Sequence, residues 1–316
     1  MAKRPWTVGP RTAAHRSWLL ALPLVLVSSA SAMGAGELRV ATLNVGLSDF
    51  GEDVRTWPER AEVLARLVQE LQLDVLALQE IWEIDADGVR PEFREYLASL
   101  GVARGRSKLE HLRKSLPDGL AIASELIPSS EDGELIPGLT WGLAVVSRHP
   151  IAGSERWRLT PDVEDRYPRI VQQTRIDVGT GLELINAHLS AESGRSREVA
   201  AGELLAGIDP LWTVLAGDLN AVPSETPVER LRERLRDLWL SAVERRLFVG
   251  GARQVPTGAF GRFVERARID YLMAGARWKA TVCETHVDSL APTPLSDHPL
   301  VVCSISAVER GAVTAD

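Results

Sequence analysis

An α/β fold is predicted by three features of the sequence. Apolar, β-rich runs recur along the chain, and most of them stop abruptly on a polar residue. Between several of them lie segments whose apolar residues return at helical spacing. Two of the runs are separated only by Gly179-Thr180-Gly181, the signature of a hairpin.

In chain order, Leu38 to Val45 is the first β-rich run, followed by a loop holding Gly46, Gly51 and Pro58. Glu59 to Leu71 reads as a helix, since Leu64, Leu67, Val68 and Leu71 share one face at a period of about 3.6 residues. Asp74 to Glu80 is a continuous apolar strand stopped by Gln79 and Glu80, and Pro91 to Leu100 is a short helix closed by Gly101. Residues 101–140 carry the basic cluster Arg104, Arg106, Lys108, Arg113 and Lys114, read as a solvated face in preference to a phosphate contact. Trp141 to Ser147 is the next strand, and the hairpin pairs Ile170–Asp177 with Leu182–Leu189.

Arg195 to Ile208 is helical and leads into Val214-Leu215-Ala216, a buried strand ending in Gly217-Asp218-Leu219-Asn220. Alternation along that strand puts Asp218 and Asn220 on one side. Thr226-Pro227-Val228-Glu229 starts a helix, with Thr226 as N-cap, Pro227 at N1 and Glu229 completing a capping box. Its apolar face is Val228, Leu231, Leu235 and Leu238. Strands over Arg268–Ala274, Trp278–Val287 and Pro299–Ile305 finish the fold. One domain over residues 37–306 is expected, then a disordered tail over 307–316.

The first residues read as a targeting signal. Lys3, Arg4, Arg11 and Arg16 precede an apolar run from Trp18 to Val27, and Ala30-Ser31-Ala32 suits a signal peptidase. Cleavage after residue 32 predicts an exported protein, periplasmic or secreted. It leaves 32 basic and 43 acidic residues, a net charge of −11, which argues against a broad nucleic-acid footprint. Export allows a disulfide between Cys283 and Cys303, with two buried thiols as the alternative.

Nearly every strand ends in a residue able to bind metal or phosphate: Asn44, Glu80, His188, Asp218 with Asn220, Asp270, and the pair Asp297-His298 before the last strand. Each has a bland reading as a turn residue, a helix-entry acid or a satisfied core histidine. Asp270 is harder to read that way, because a carboxylate in a buried strand is destabilising unless paired, and His298 is a partner for it.

These motifs occur in a telling order. They are Leu43-Asn44-Val45, Leu78-Gln79-Glu80, Gly142 to Arg148, Asn186-Ala187-His188-Leu189, Gly217-Asp218-Leu219-Asn220, Arg268-Ile269-Asp270-Tyr271 and Ser296-Asp297-His298-Pro299. In that order they resemble the endonuclease/exonuclease/phosphatase superfamily over roughly residues 38–305. The resemblance implies a four-layered α/β sandwich, two packed mixed β-sheets flanked by helices. It implies phosphoester hydrolysis with a divalent metal, Mg²⁺ or Mn²⁺.

Carried over motif by motif, Glu80 and Asn44 bind the metal and Asp297 contributes to the same or a second ion. Asp218 activates water, Asn220 holds a phosphate oxygen, and His188 and His298 bind phosphoryl oxygens or protonate the leaving group. Asp270 orients His298, and Arg169 after Tyr167-Pro168 is a further phosphate contact or a structural arginine.

Gly46, where abasic-site endonucleases carry an acid, and the presence of His188 set the chain apart from those enzymes. Arg60-Ala61 and Glu80-Ile81-Trp82 are closer to neutral sphingomyelinases. The expected substrate is a phosphodiester in nucleic acid or a phospholipid headgroup, acted on by a monomer with no stable protein partner. For a membrane-dipping hairpin the candidates are Trp141, Trp157, Phe260 and Phe263, each as well explained by core packing. A non-catalytic binding protein of the same fold is the other class, disfavoured because Glu80, Asp218, Asp270 and His298 are all in place.

Overall fold

The computed structural model describes residues 36–46, 56–84, 107–128, 138–165, 167–179, 181–249, 268–286 and 295–308. The targeting signal, the helix expected over 91–100, Arg104, Arg106, Phe260 and Phe263 lie outside the described residues. So does the expected tail from residue 309 onward; residues 307 and 308 are described, the first closing the last strand.

In chain order the elements are β1 (Glu37–Asn44), α1 (Trp57–Glu70), β2 (Val75–Ile84), α2 (Lys108–Ser115), β3 (Ala121–Pro128), β4 (Leu139–Ser147) and β5 (Ile151–Arg158). Then come β6 (Ile170–Ile176), β7 (Leu182–His188), α3 (Gly194–Gly207), β8 (Thr213–Asp218), α4 (Thr226–Arg232), β9 (Arg236–Asp237) and α5 (Leu238–Glu244). The last are β10 (Phe248–Val249), β11 (Asp270–Ala274), β12 (Trp278–His286) and β13 (Leu300–Ala307).

The strands form two mixed sheets. The first runs β10-β12-β13-β1-β2-β4-β3 and the second β5-β6-β7-β8-β11-β9. Period-two alternation sends one face of each sheet inward. Val40, Ala77 and Ile305 of the first sheet meet Leu184, Ala216 and Leu272 of the second in the central core. The other face of the first sheet packs on α1 and α2 through Leu43, Leu64 and Leu112. The outer face of the second packs on α3 and α4 through Leu215, Leu204 and Leu231. This is the expected four-layered sandwich.

Helix α1 begins two residues earlier than expected because Thr56 and Glu59 close its first turn, Thr56 N–H donating to Glu59 Oε2 at 2.8 Å. The capping box expected between Thr226 and Glu229 is absent. Glu225, not Thr226, is the N-cap of α4, and its carboxylate is occupied by Val222 N–H at 2.9 Å and Arg197 Nη2 at 2.8 Å. Helix α4 stops at Arg232, so Leu235 and Leu238 do not belong to it. Leu238 opens α5, which Asp237 caps by accepting Leu240 N–H at 3.1 Å.

Cys283 and Cys303 face one another across the β12–β13 ladder and form a disulfide, with Cα atoms 4.1 Å apart. Lys108 is fully buried, which corrects its reading as part of a solvated basic face; only Arg113 and Lys114 of the described cluster members are exposed. Trp141 packs against Tyr167 with ring centroids 4.8 Å apart, and Trp157 packs beneath α3, so both serve the interior.

Candidate active site

Each sheet delivers half of one cluster. In the second sheet, β7 and β8 run parallel with His188 beside Asp218, and β11 runs antiparallel to β8 with Asp270 beside Asp218. All three residues lie in the inward-facing alternation, so hydrogen-bonded register alone sets them in a row. Gly217 makes the close strand spacing possible: a Cβ there would lie 1.9 Å from Ala187 O, and φ is +151°.

In the first sheet, Asn44 closes β1 and is fully buried. Its Nδ2 donates to Glu80 Oε1 at 3.0 Å and to Asp218 Oδ2 at 3.1 Å, bridging the two sheets. Glu80 does not end its strand as expected. β2 continues to Ile84, and a bulge between Leu78 and Ile81 inserts Glu80 with φ +57°. Strict alternation would place Glu80 on the helix side with Leu78; the extra residue re-aims it toward Asn44.

The loop before β13 brings Asp297 and His298. Ser296 Oγ donates to Asn44 O at 2.5 Å and accepts His298 N–H at 3.1 Å, which fixes the loop to the end of β1. His298 Nδ1 lies 2.9 Å from Asp270 Oδ2, and its Nε2 lies 3.7 Å from Asp218 Oδ2. Asp297 is partly exposed, its Oδ1 3.3 Å from Ser296 Oγ. Among the described residues, no hydrogen bond links it to Glu80 or Asn44.

The two histidines carry opposite charge states. Burial pushes His188 well below the ordinary imidazole value, and the nearby Arg169 and His298 push it further, so it is neutral. Burial pulls His298 the same way, but Asp270, Asp218 and Asp297 outweigh it and hold it as an imidazolium. Asp218 is pushed up to about 7, chiefly by burial and then by Asp270, against the opposing pull of His298 and of the Asn220 and Asn44 hydrogen bonds. It can therefore take a proton near neutral pH.

Asn220 departs from its expected place. β8 ends at Asp218, and Asn220 has φ +47°, so strand alternation no longer applies to it. Its Nδ2 donates to Leu189 O at 3.0 Å and its N–H to Asp218 Oδ1 at 2.8 Å, so here it ties the β7 and β8 ends together.

Arg169, immediately before β6, is buried against Trp141, its Cζ 5.1 Å from the ring centre. Its Nε lies 3.5 Å from Asp165 Oδ2, yet neither Nε nor Nη1 has a hydrogen-bond partner, and Trp141 Nε1 is also unpartnered. Both residues border a recess that His188 also lines. Buried donors without acceptors are costly, and an anionic oxygen would satisfy them.

Two groups went unrecognised by sequence reasoning. Gln79 and Asn186 lie inside the Leu78-Gln79-Glu80 and Asn186-Ala187-His188-Leu189 motifs. Gln79 Nε2 donates to Asn186 Oδ1 at 2.8 Å, and Asn186 Nδ2 donates to Leu78 O at 3.0 Å and Ala144 O at 3.1 Å, joining the sheets directly beneath the acids. Lys108 is the other, and no sequence pattern marks it.

The donor set suits a hard divalent cation. Glu80 and Asp218, carboxylates from opposite sheets, share a single amide donor, and a cation bound by oxygen ligands is the stronger common partner. Ligand atoms of Asp218, Asp270 and His298 also lie within 4.8 Å of one another. His298 Nδ1 is already engaged by Asp270, so Glu80 is the better-suited ligand; Asn44 presents its Nδ2 to Glu80 while its Oδ1 accepts Gly46 N–H, so its oxygen joins a bound cation only after the amide turns over.

Comparison with known proteins agrees with this geometry. Residues 41–298 match the sequence profile of the Endonuclease/Exonuclease/phosphatase family. No match is found among proteins of curated function. An endonuclease/exonuclease/phosphatase from Beutenbergia cavernae superposes with a TM-score of 0.64 at 22% identity, covering 86% of this chain and 72% of that one. The mannosyl-6-phosphatase of Bacteroides thetaiotaomicron gives 0.56 at 20% identity, covering 86% and 100%. Truncated TDP2 from Caenorhabditis elegans gives 0.54 at 18% identity, covering 86% and 98%. At such identities these likenesses speak to the fold, whereas the profile spans most of the chain. This protein belongs to the Endonuclease/Exonuclease/phosphatase family.

Proposed function

We propose that the chain is an exported, divalent-metal-dependent phosphoester hydrolase, acting foremost as a phosphodiesterase. The observation that carries this reading is the row His188–Asp218–Asp270 with His298 across it, where an acid titrating near 7 stands between a neutral and a protonated imidazole. Asp218 takes a proton from water, the oxygen attacks phosphorus, and the bond to the leaving oxygen breaks. His298, held by Asp270, directs its remaining N–H at the phosphoryl oxygens or the leaving oxygen. Of the two imidazoles it is the one with a proton to give.

Glu80, Asn44 and, from the adjacent loop, Asp297 would hold Mg²⁺ or Mn²⁺. When bound, such an ion neutralises charge on the phosphoryl oxygens and lowers the pKa of coordinated water. Arg169 and Trp141 would offer their unpartnered N–H groups to a phosphate oxygen beside His188. Asn220 would serve by its carbonyl oxygen or by fixing the Asp218 loop.

Export rests on the basic and apolar N-terminal segment, and the Cys283–Cys303 disulfide accords with an oxidising compartment. Substrate choice lies between nucleic acid and a phospholipid headgroup. Among the described residues Lys108 and Trp141 are buried and Trp157 is half-buried against the outer core, so neither a basic groove nor an exposed aromatic hairpin separates the two. The neighbouring mannosyl-6-phosphatase makes phosphomonoesters a third class worth assaying.

Hydrolysis of bis-p-nitrophenyl phosphate is expected to require Mg²⁺ or Mn²⁺ and to vanish in Asp218→Ala and His298→Ala. Full activity in EDTA would refute the metal requirement. A panel of plasmid DNA, RNA, sphingomyelin, inositol phosphates and p-nitrophenyl phosphate then assigns the substrate.

A further inference from the structure

We infer that Lys108 is a positioning residue that sets divalent-cation affinity by holding the backbone on either side of the Asn44–Glu80 pair. The inference rests on the metal-dependent reading above. Lys108 is fully buried at the start of α2. Its Nζ donates to Gly46 O and, at 3.2 Å, to Glu80 O. The ammonium also lies 5.0 Å from the ring centre of Trp57 and 5.2 Å from that of Trp82. Trp57 Nε1 in turn donates to Lys108 O at 3.0 Å, so the lysine and its clamp fix each other. A charge so placed is expensive to bury unless its donors are used and its face is stabilised by π-systems.

The two carbonyls it grips are those of the segments that present the candidate metal ligands. Gly46, with φ +71°, turns back to donate its N–H to Asn44 Oδ1 at 2.9 Å, which orients the Asn44 amide. Glu80 is the extra residue of the β2 bulge and adopts a left-handed conformation that a non-glycine residue takes up only when its surroundings enforce it. A bulge withdraws backbone groups from the ladder, and Lys108 satisfies the Glu80 carbonyl. One ammonium therefore locks both backbone segments. Arg60 braces the third: its Nη1 donates to Val45 O at 2.7 Å and Leu295 O at 3.2 Å, next to the Asp297 loop.

Two effects of removing the lysine oppose one another. Loss of a nearby positive charge would strengthen cation binding, whereas loss of the carbonyl clamp lets Glu80 leave its left-handed conformation and weakens it. The proposal is that the clamp dominates. Partners that orient metal ligands cost about 10- to 100-fold in affinity when removed, and that loss is expected for Lys108→Met in Mn²⁺ binding measured by calorimetry without substrate. At saturating Mn²⁺ the kcat should return to within about threefold of wild type, because the reacting groups Asp218 and His298 are untouched.

Lys108→Arg, which keeps the donors and the charge, should restore most of the affinity. Unchanged or tighter Mn²⁺ binding in Lys108→Met overturns the inference, as does a kcat that stays low at saturating metal. If Lys108→Met does not fold, Trp82→Leu opens one side of the clamp with the lysine intact, and wild-type affinity in that variant overturns it equally. Glu80→Gln separates the two levels. Binding lost in Glu80→Gln but retained in Lys108→Met defeats this inference alone, and no binding by the wild-type protein defeats the metal reading with it.

Discussion

Replacing Asp218 by Asn should stabilise the metal-free protein in alkaline solution while abolishing its activity. Asp218 is almost completely buried and titrates near 7 in the fold, against 3.8 for an unperturbed Asp. Because the folded value is raised, the native state binds more protons than the unfolded chain between those limits. The associated stability is complete below the unfolded value and is lost as pH rises through the folded one. For one such group the loss between pH 5 and pH 8 is about 2–3 kcal/mol.

His298, whose value is also raised, tilts the wild-type curve the same way. His188, whose value is depressed, tilts it oppositely below the ordinary imidazole range. Both are present in the two proteins, so to first order the difference between them reports Asp218. Urea unfolding in EDTA at pH 5 and pH 8 measures it directly. The Asn variant should gain about 2–3 kcal/mol on wild type across that interval, and saturating Mg²⁺ should narrow the gap at pH 8, because a cation held beside Asp218 favours its carboxylate form. Two curves that run parallel with pH would refute the claim that a strained acid sits at the centre of this site.

Asp270→Asn should lower kcat by about 10²–10⁴-fold and move the alkaline limb of the pH–rate profile to lower pH, since His298 loses the carboxylate that most raises it. Arg169→Met should raise the pKa of His188, read by NMR titration of its ring protons, and increase KM by about 10-fold with a smaller change in kcat. Gly217→Ala should destabilise by about 3 kcal/mol or more in thermal unfolding, because β7 would have to move away from the added methyl group.

Much of the site was legible because strand alternation carries it. Asn44, His188, Asp218 and Asp270 stand at strand ends on the inward face, where apolar runs and their polar stops are visible in sequence. Glu80 was found by its motif, but its placement was not foreseeable, since a bulge leaves no compositional mark. Asn220 departs from the expected face because alternation ends with the strand at Asp218, two residues before it. The strands β3 and β5 escaped notice for a physical reason. Each is the edge of its sheet, largely half-exposed, and so carries mixed residues instead of an apolar run. Lys108 was misassigned because a basic residue in a basic cluster looks solvated until its aromatic neighbours, distant in sequence, are brought around it.

The amide network of Gln79 and Asn186 has a consequence for how the two layers are aligned. Half of the chemistry rides on one sheet and half on the other, joined by contacts near 3 Å between Asn44, Glu80 and Asp218. Apolar contact between sheets is non-directional and would tolerate sliding by a fraction of a residue. Directional hydrogen bonds from Gln79 to Asn186, and from Asn186 to Leu78 and Ala144, do not. They act as an index pin, giving the sandwich one zero position and making the shared cluster a property of that alignment.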